Sequence, residues 1–303
     1  MRSGEGSAVR VLITGGSGFI GRNLVESLRE RHEVLAPTHS ELELTDHDAV
    51  HSYLAVHRPE VVVHGAVKPG HRAAKDRSGI AESNTAMFHN LADDPELCPR
   101  MVFLSSGAVY DERHYLPKMR EIYLGTHVPT DPNGYAKYLA ARWIESAEHV
   151  VELRPFGVYG SYEDYSIRFI SNAICKALLG LPITLRQDRR FDYVWVGDLV
   201  RIVEYFIDRS RGELRYGAYN VTPDESENLT GIAHMVLEVT GVDVPIIIAM
   251  SGEGVEYSGD NTRLREEMPG LELTSLRYSI EMLVSWYEAR IDTLDRSKLL
   301  VDA

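Results

Sequence analysis

Three glycines, Gly15, Gly18 and Gly21, stand at GxxGxxG spacing inside the run TGGSGFIG. A backbone without Cβ atoms can approach a pyrophosphate closely, and the N–H groups that open a following helix point at its charge. Dinucleotide binding is the chemistry this spacing offers, with Ser17, Phe19 and Ile20 completing the loop. Such a site also needs a reader for the adenosine ribose at the end of the next strand, where NAD binders place an Asp or Glu against the 2′-hydroxyl. Here that position is Thr38, followed by His39 and Ser40. These neutral or weakly basic hydrogen-bonders tolerate a 2′-phosphate, so NADP(H) is expected ahead of NAD(H).

The elements around the loop support this use. Residues 9–14 (VRVLIT) form a short apolar run, and Phe19, Ile20, Leu24, Val25 and Leu28 recur at helical spacing after the glycines. Further strand candidates occur at 33–36, 60–64, 101–105 and 150–154, separated by helix-like stretches near 46–57, 80–91 and 134–148. This alternation predicts an α/β fold: a Rossmann-type doubly wound parallel sheet with helices on both faces. After Pro155 the pattern becomes mixed, with helices expected at 165–179, 198–208 and 228–240, an apolar segment at 191–196 and a strand at 244–249. The expected organisation is a dinucleotide-binding domain over 1–156, with a return segment near 191–217. A smaller substrate-binding region would comprise 157–190 and 218–303. The tail after Trp286 is charged and is expected to fray.

Bulk properties exclude several classes. A net charge of −13 over 303 residues disfavours a nucleic-acid surface, which needs clustered Lys and Arg. No apolar run reaches the ~20 residues that span a bilayer, and the start MRSGEGSAVR lacks the apolar stretch of a secretory signal. A cytoplasmic protein without membrane contact is expected. The two cysteines, Cys98 and Cys175, are far apart and are read as buried thiols; no metal site is expected.

Beyond the glycine loop, the chain carries ELELTD (41–46), VVVHGA (61–66), FLSSGAVY (103–110), PKMRE (117–121), LRPFGVYG (153–160), FDYVWVGD (191–198) and GDNTRLREEMPG (259–270). In these runs and their order it resembles the extended short-chain dehydrogenases of the NAD-dependent epimerase/dehydratase family, which modify nucleotide sugars. The resemblance implies that Glu43 and Leu44 flank the adenine, that Gly65, Ala66 and Val67 line the pyrophosphate and ribose, and that Leu104, Ser105 and Lys137 contact the cofactor. It also implies that Phe156 and Val158 pass beside the nicotinamide.

The catalytic set of that family is a Ser or Thr, a Tyr, and a Lys four residues after the Tyr. Ser106 and Lys137 match the first and last, but Asn133 stands where the tyrosine belongs. An amide cannot donate and regain a proton near neutral pH. Tyr135 is two residues out of register. On a helix advancing ~100° per residue it points nearly opposite to Asn133 and Lys137, unless the turn-prone Asn133-Gly134 pair unwinds locally. Lys137 itself, a water held by Asn133, or a histidine such as His71 are alternative proton donors.

Gly107 and Ala108 after Ser106 replace the acid pair of the sugar dehydratases, so dehydration is not expected. The resemblance implies hydride transfer to or from a sugar carbonyl, foremost as a 4-ketoreductase of a 4-keto-6-deoxy nucleotide sugar. A 4-epimerase, or a non-catalytic dinucleotide-binding protein, are the alternatives. The two substrate phosphates would meet Arg168, Lys176, Arg190 or Arg263. The family asparagine and arginine near that side are here Gly157 and Phe191. A homodimer through two sheet-flanking helices is expected by the same resemblance.

Overall fold

The computed structural model describes residues 8–70, 74 and 76–300. In chain order its elements are β1 (Arg10–Thr14), α1 (Phe19–Leu28), β2 (Glu33–Leu35), α2 (His47–His57), β3 (Val61–His64), α3 (Ile80–Ala92), β4 (Met101–Leu104), α4 (Pro132–Ile144) and β5 (Val150–Pro155). Then follow β6 (Val158–Tyr159), α5 (Phe169–Leu178), β7 (Ile183–Asp188), β8 (Arg190–Phe191), β9 (Val194–Trp195), α6 (Val196–Ile207) and β10 (Ala218–Val221). The last are β11 (Glu227–Asn228), α7 (Leu229–Thr240), β12 (Ile246–Glu253), α8 (Thr262–Glu267), α9 (Leu276–Glu288) and α10 (Arg296–Leu299).

The chain divides into two compact units. The first comprises 1–114, 121–155 and 200–220, and the second 115–120, 156–199 and 221–303. The first unit holds a six-stranded sheet in the order β10-β5-β4-β3-β1-β2. Pairing from β2 through β5 is parallel throughout, with Thr14 opposite His64. Strands covered on both faces are apolar at every position, which is why VRVLIT, VVVH and MVFL read as continuous runs rather than alternations. Leu12, Val62, Phe88, Leu91, Phe103 and Ile144 form the core that α2, α3 and α4 close. Because the chain leaves β1 for β2 on one side and returns to β3 on the other, a topological switch point falls at the ends of β1 and β3.

In the second unit α5, α7 and α9 pack around Ile170, Ile174, Ile183, Ile232, Val236, Ile280 and Leu283. Three short two-stranded sheets accompany them, β11-β8, β12-β7 and β6-β9.

The doubly wound parallel sheet agrees with the sequence expectation. The boundaries differ. The return segment begins at 200 rather than 191, since Arg190–Phe191 pairs with β11 and Val194–Trp195 with β6, both within the second unit. Phe156 belongs to the second unit as well. Among the described residues the segment after Trp286 does not fray: α10 is capped by Asp295, and Leu299 is buried in the second unit's core.

Candidate active site

The loop between β1 and α1 turns on Gly15, whose φ of +73° is the left-handed conformation that glycine adopts without strain. A Cβ on Gly21 would lie 2.0 Å from the Gly15 carbonyl oxygen, so the helix can sit this close to the loop only with glycine there. Gly18 caps α1 without any side-chain hydrogen bond, and the first turn holds no acid. The opening N–H groups of α1, including those of Phe19 and Ile20, therefore await an external acceptor.

Beside this helix start is a cavity of about 500 Å³ at the switch point of the sheet. Gly15, Ser17, Glu43, Leu44, Ala66 and Val67 are among the residues that line it. These residues fit a dinucleotide: apolar Leu42 and Leu44 offer faces to a base, and the glycine loop leaves a pyrophosphate room.

Thr14, not singled out in the sequence, organises the floor. Its hydroxyl oxygen accepts from the N–H groups of Gly65 and Ala66 at 3.2 Å each and lies 2.7 Å from His64 Nδ1. Burial lowers the His64 pKa to about 3, so the imidazole is neutral. Lys68 and Asn84 were also missed. Asn84 Oδ1 accepts from the Lys68 N–H at 2.7 Å, tying the segment after β3 to α3, and Lys68 Nζ reaches Asp76 at 2.7 Å. The available signal was a polar residue ending each apolar strand, Thr14 in VRVLIT and His64 in VVVH.

At the end of β2 the Thr38 N–H and hydroxyl both donate to Glu41. His39 Nε2 lies 3.1 Å from Glu43. His39 and Glu43 line the cavity, whereas Thr38 is turned to its own loop. Ser105 and Leu104 are buried at the end of β4.

Ser106 opens a 3-10 turn over Gly107–Val109 and accepts from the Ala108 N–H at 3.3 Å. The first turn of α4 lies directly against this turn: a Cβ on Gly134 would come within 2.6 Å of the Ala108 carbonyl oxygen. Asp131 caps α4 by accepting from the Gly134 N–H at 2.8 Å, and Pro132 takes the first helical position. The Asn133-Gly134 pair thus sits inside an intact helical turn, and the local unwinding that would bring Tyr135 into register does not occur. Gly134 is required by a close approach, not by a turn. Tyr135 is 40% exposed. Asn133 Oδ1 is buried without a hydrogen-bond partner. Lys137, one turn on, is half-buried; loss of hydration lowers its pKa to about 8, against the opposing charges of Glu152 and Asp131.

Behind these residues lies a buried chain of polar contacts. Arg154 donates to Glu152 Oε2 at 2.6 Å and to the Tyr110 hydroxyl at 2.9 Å, and Tyr110 donates to Asn220 Oδ1 at 2.9 Å. Asn220 N–H in turn donates to Glu121 at 2.8 Å. Apart from the local Glu152–Arg154 pair, the contacts bridge 44 to 110 residues of sequence, so no local pattern announces them.

The second unit holds the cations expected to meet phosphate. Lys176 does not serve there: it lies on the buried face of α5 and bonds Thr184 Oγ1 at 2.5 Å. Arg190 donates to the Ser226 hydroxyl at 2.9 Å. Arg168 is exposed at the start of α5, and Arg263 is half-buried in the first turn of α8. Phe156 packs at 4.9 Å between ring centroids against Tyr257, and Val158 pairs with Val194. Both cysteines are buried thiols. His71 lies outside the described residues. Among the described residues no helix is long and apolar enough to cross a membrane, and no group of three His, Cys, Asp or Glu side chains could hold a metal.

A doubly wound sheet whose switch point carries a glycine cradle, an uncapped helix start and an adjoining Ser106–Lys137 pair of elements defines a dinucleotide-dependent oxidoreductase scaffold. The model of the NAD-dependent epimerase/dehydratase family matches residues 11–222, and the chain belongs to this family of NAD(P)-dependent enzymes. The GDP-L-fucose synthase of Azorhizobium caulinodans is 36% identical over 101 residues, 33% of this chain and 30% of that protein. The dTDP-4-keto-6-deoxy-D-glucose reductase of Streptomyces niveus is 25% identical over 249 residues, 77% of this chain and 80% of the relative. In fold, the chain is similar to the NADP-bound GDP-mannoheptose C4 reductase of Campylobacter jejuni, with TM-score 0.80 and 20% identity over 93% of this chain and 98% of that one.

Proposed function

We propose that the protein reduces the 4-keto group of a 4-keto-6-deoxy nucleotide sugar, with NADPH as the hydride donor. The observation that carries this reading is the seating of α4 on the Ser106 turn through Gly134, which holds a hydroxyl and a half-buried lysine in the same unit as the dinucleotide cradle. The 25% identity to a 4-keto-6-deoxy sugar reductase over 77% of the chain supports the same chemistry. When bound, the cofactor supplies hydride. The chain holds the pyrophosphate at α1 and the base near Leu44, and Ser106 donates a hydrogen bond to the sugar carbonyl. Arg168, Arg190 and Arg263 are the cations assigned to the substrate diphosphate, and a homodimer, measurable by light scattering, belongs to the same reading.

The preference for NADPH follows from the missing acid at position 38, opposed by Glu43 on the cavity wall. About a tenfold difference in Kd, ~1.4 kcal/mol, is expected by fluorescence titration with NADPH and NADH. Equal affinities remove the preference.

A second reading, a dinucleotide-binding protein without turnover, is favoured by Asn133, together with Gly157 and Phe191 where the family carries asparagine and arginine. Incubation with 4-deuterated NADPH and a panel of 4-keto-6-deoxy nucleotide sugars separates the two. Deuterium at sugar C4 supports the reductase; tight NADPH binding with no transfer to any sugar supports the second reading.

A further inference from the structure

Asn133 cannot replace the tyrosine as an acid, yet reduction of a carbonyl needs a proton at the oxygen. The groups around α4 narrow the choice. Tyr110 is enclosed by Arg154 and Asn220, and burial raises its pKa to about 12. His64 is neutral and bound to Thr14. Asp131 is engaged as the cap of α4, and Tyr135 is exposed on the far side of the helix. Among these described groups Lys137 is left, four residues from Asn133 and so on the same helical face, one turn or about 5.4 Å along the axis.

Resting on the reductase reading above, we propose that Lys137 itself delivers to the sugar oxygen the proton that a tyrosine at position 133 would otherwise supply. The buried, unpartnered Oδ1 of Asn133 is an acceptor for the lysine ammonium or for a sugar hydroxyl beside the carbonyl. As hydride adds to the carbonyl carbon, the π electron pair moves to oxygen. The Nζ–H bond breaks as the O–H bond forms, the dihydronicotinamide is the group oxidised, and the neutral amine regains its proton from water. Lysine suits this step where burial brings its ionisation toward the working pH. Here burial opposes the carboxylates that face it, Glu152 from β5 and Asp131 from the start of α4, with neutral His64 on β3 beside them.

The test uses the full chain with deuterated NADPH and the sugar panel, comparing wild type, Lys137→Arg and the double variant Asn133→Tyr/Lys137→Arg. Arginine keeps the charge but does not release a proton. Lys137→Arg is expected to lose about 10²–10⁴-fold in deuteride transfer measured at saturating NADPH, and the double variant to regain at least about tenfold through the new phenol. A readout independent of turnover is reductive methylation followed by peptide mass spectrometry across pH. Lys137 is expected to react with a midpoint near 8, against ~10.4 for exposed lysines. Transfer by Lys137→Arg within about tenfold of wild type, or a methylation midpoint near 10, overturns the proposal and leaves the reductase reading intact. Absence of transfer in the wild type overturns the reductase reading, and the proton-donor role with it.

Discussion

Two helix starts in the first unit, those of α1 and α4, solve the same packing problem and end in opposite states. Each rests a glycine against a carbonyl oxygen, Gly21 on Gly15 and Gly134 on Ala108. At α1 no side chain caps the helix, so its N–H groups remain available to a ligand. At α4 Asp131 caps the helix and Pro132 opens it, so the backbone is satisfied internally and only side chains are left to act. A site built from backbone is insensitive to which side chains surround it. A site built from side chains changes its chemistry with one substitution, and Asn133 in place of tyrosine alters the acid without disturbing the turn that carries it.

Closing the open helix start gives the largest effect. Gly21→Ala puts a methyl group 2.0 Å from the Gly15 oxygen, with backbone atoms of Gly15 and Gly16 also within 2.8 Å. Nothing flexible can yield, so α1 must move off the loop. NADPH affinity is expected to fall at least about 100-fold, ~2.7 kcal/mol, by fluorescence titration. Unaltered affinity in a variant with native circular dichroism breaks the comparison at its first member.

Gly134→Ala probes the second start. Its Cβ would meet the Ala108 oxygen at 2.6 Å and Asp131 Oδ2 at 2.5 Å, so the first turn must shift from the Ser106 turn. A stability loss of about 1–3 kcal/mol is expected in urea unfolding. Deuteride transfer should fall about 10–100-fold through misplacement of the lysine, while NADPH affinity stays within about tenfold. Equal losses in affinity and transfer would show that the two helix starts are not independent.

These two glycines also mark the limits of what the sequence discloses. The loop at Gly15, Gly18 and Gly21 is legible because every constraint on it is local: a strand, three spaced glycines and a helix within twenty residues. So are β1 to β5, whose apolar runs report burial on both faces. Gly134 reads locally as half of a turn-prone pair, but its reason is a carbonyl 26 residues earlier in the chain. Lys176 reads as a surface cation and is buried, although its setting in AICKALL was a usable sign of a face covered all round. The Arg154–Tyr110–Asn220 contacts were not legible, since long-range pairing leaves no periodicity to detect, whereas helix α9 did carry a usable pattern in Ile280, Leu283, Val284 and Tyr287. The candidate cofactor residues were therefore far more legible than the acid, which depends on what surrounds Lys137.

Asp131→Ala has a smaller effect, with two parts of known sign. Loss of an N-cap costs about 1 kcal/mol, visible as a Tm lower by about 2 °C. Asp131 also raises the Lys137 pKa, so its removal lets burial depress that pKa further below 8. The acid must be protonated to act. The alkaline limb of the reduction rate should therefore move to lower pH in Asp131→Ala, and a limb that moves to higher pH, or that stays fixed, excludes Lys137 as the titrating group.

Tyr135→Phe is expected to change least. The side chain is 40% exposed, points away from the Asn133–Lys137 face, and sits on a helix whose first turn is already intact, with its N–H donating to the Asp131 carbonyl at 2.9 Å. Removing one exposed hydroxyl should shift stability by less than about 0.5 kcal/mol and deuteride transfer by less than about twofold. This small effect discriminates sharply, because Tyr135 holds the phenol closest in sequence to the position left by the substitution. A loss of tenfold or more would mean that Asn133-Gly134 unwinds in the working enzyme and carries Tyr135 inward. The capped start of α4 would then be the movable element of the site, and the open start of α1 the fixed one.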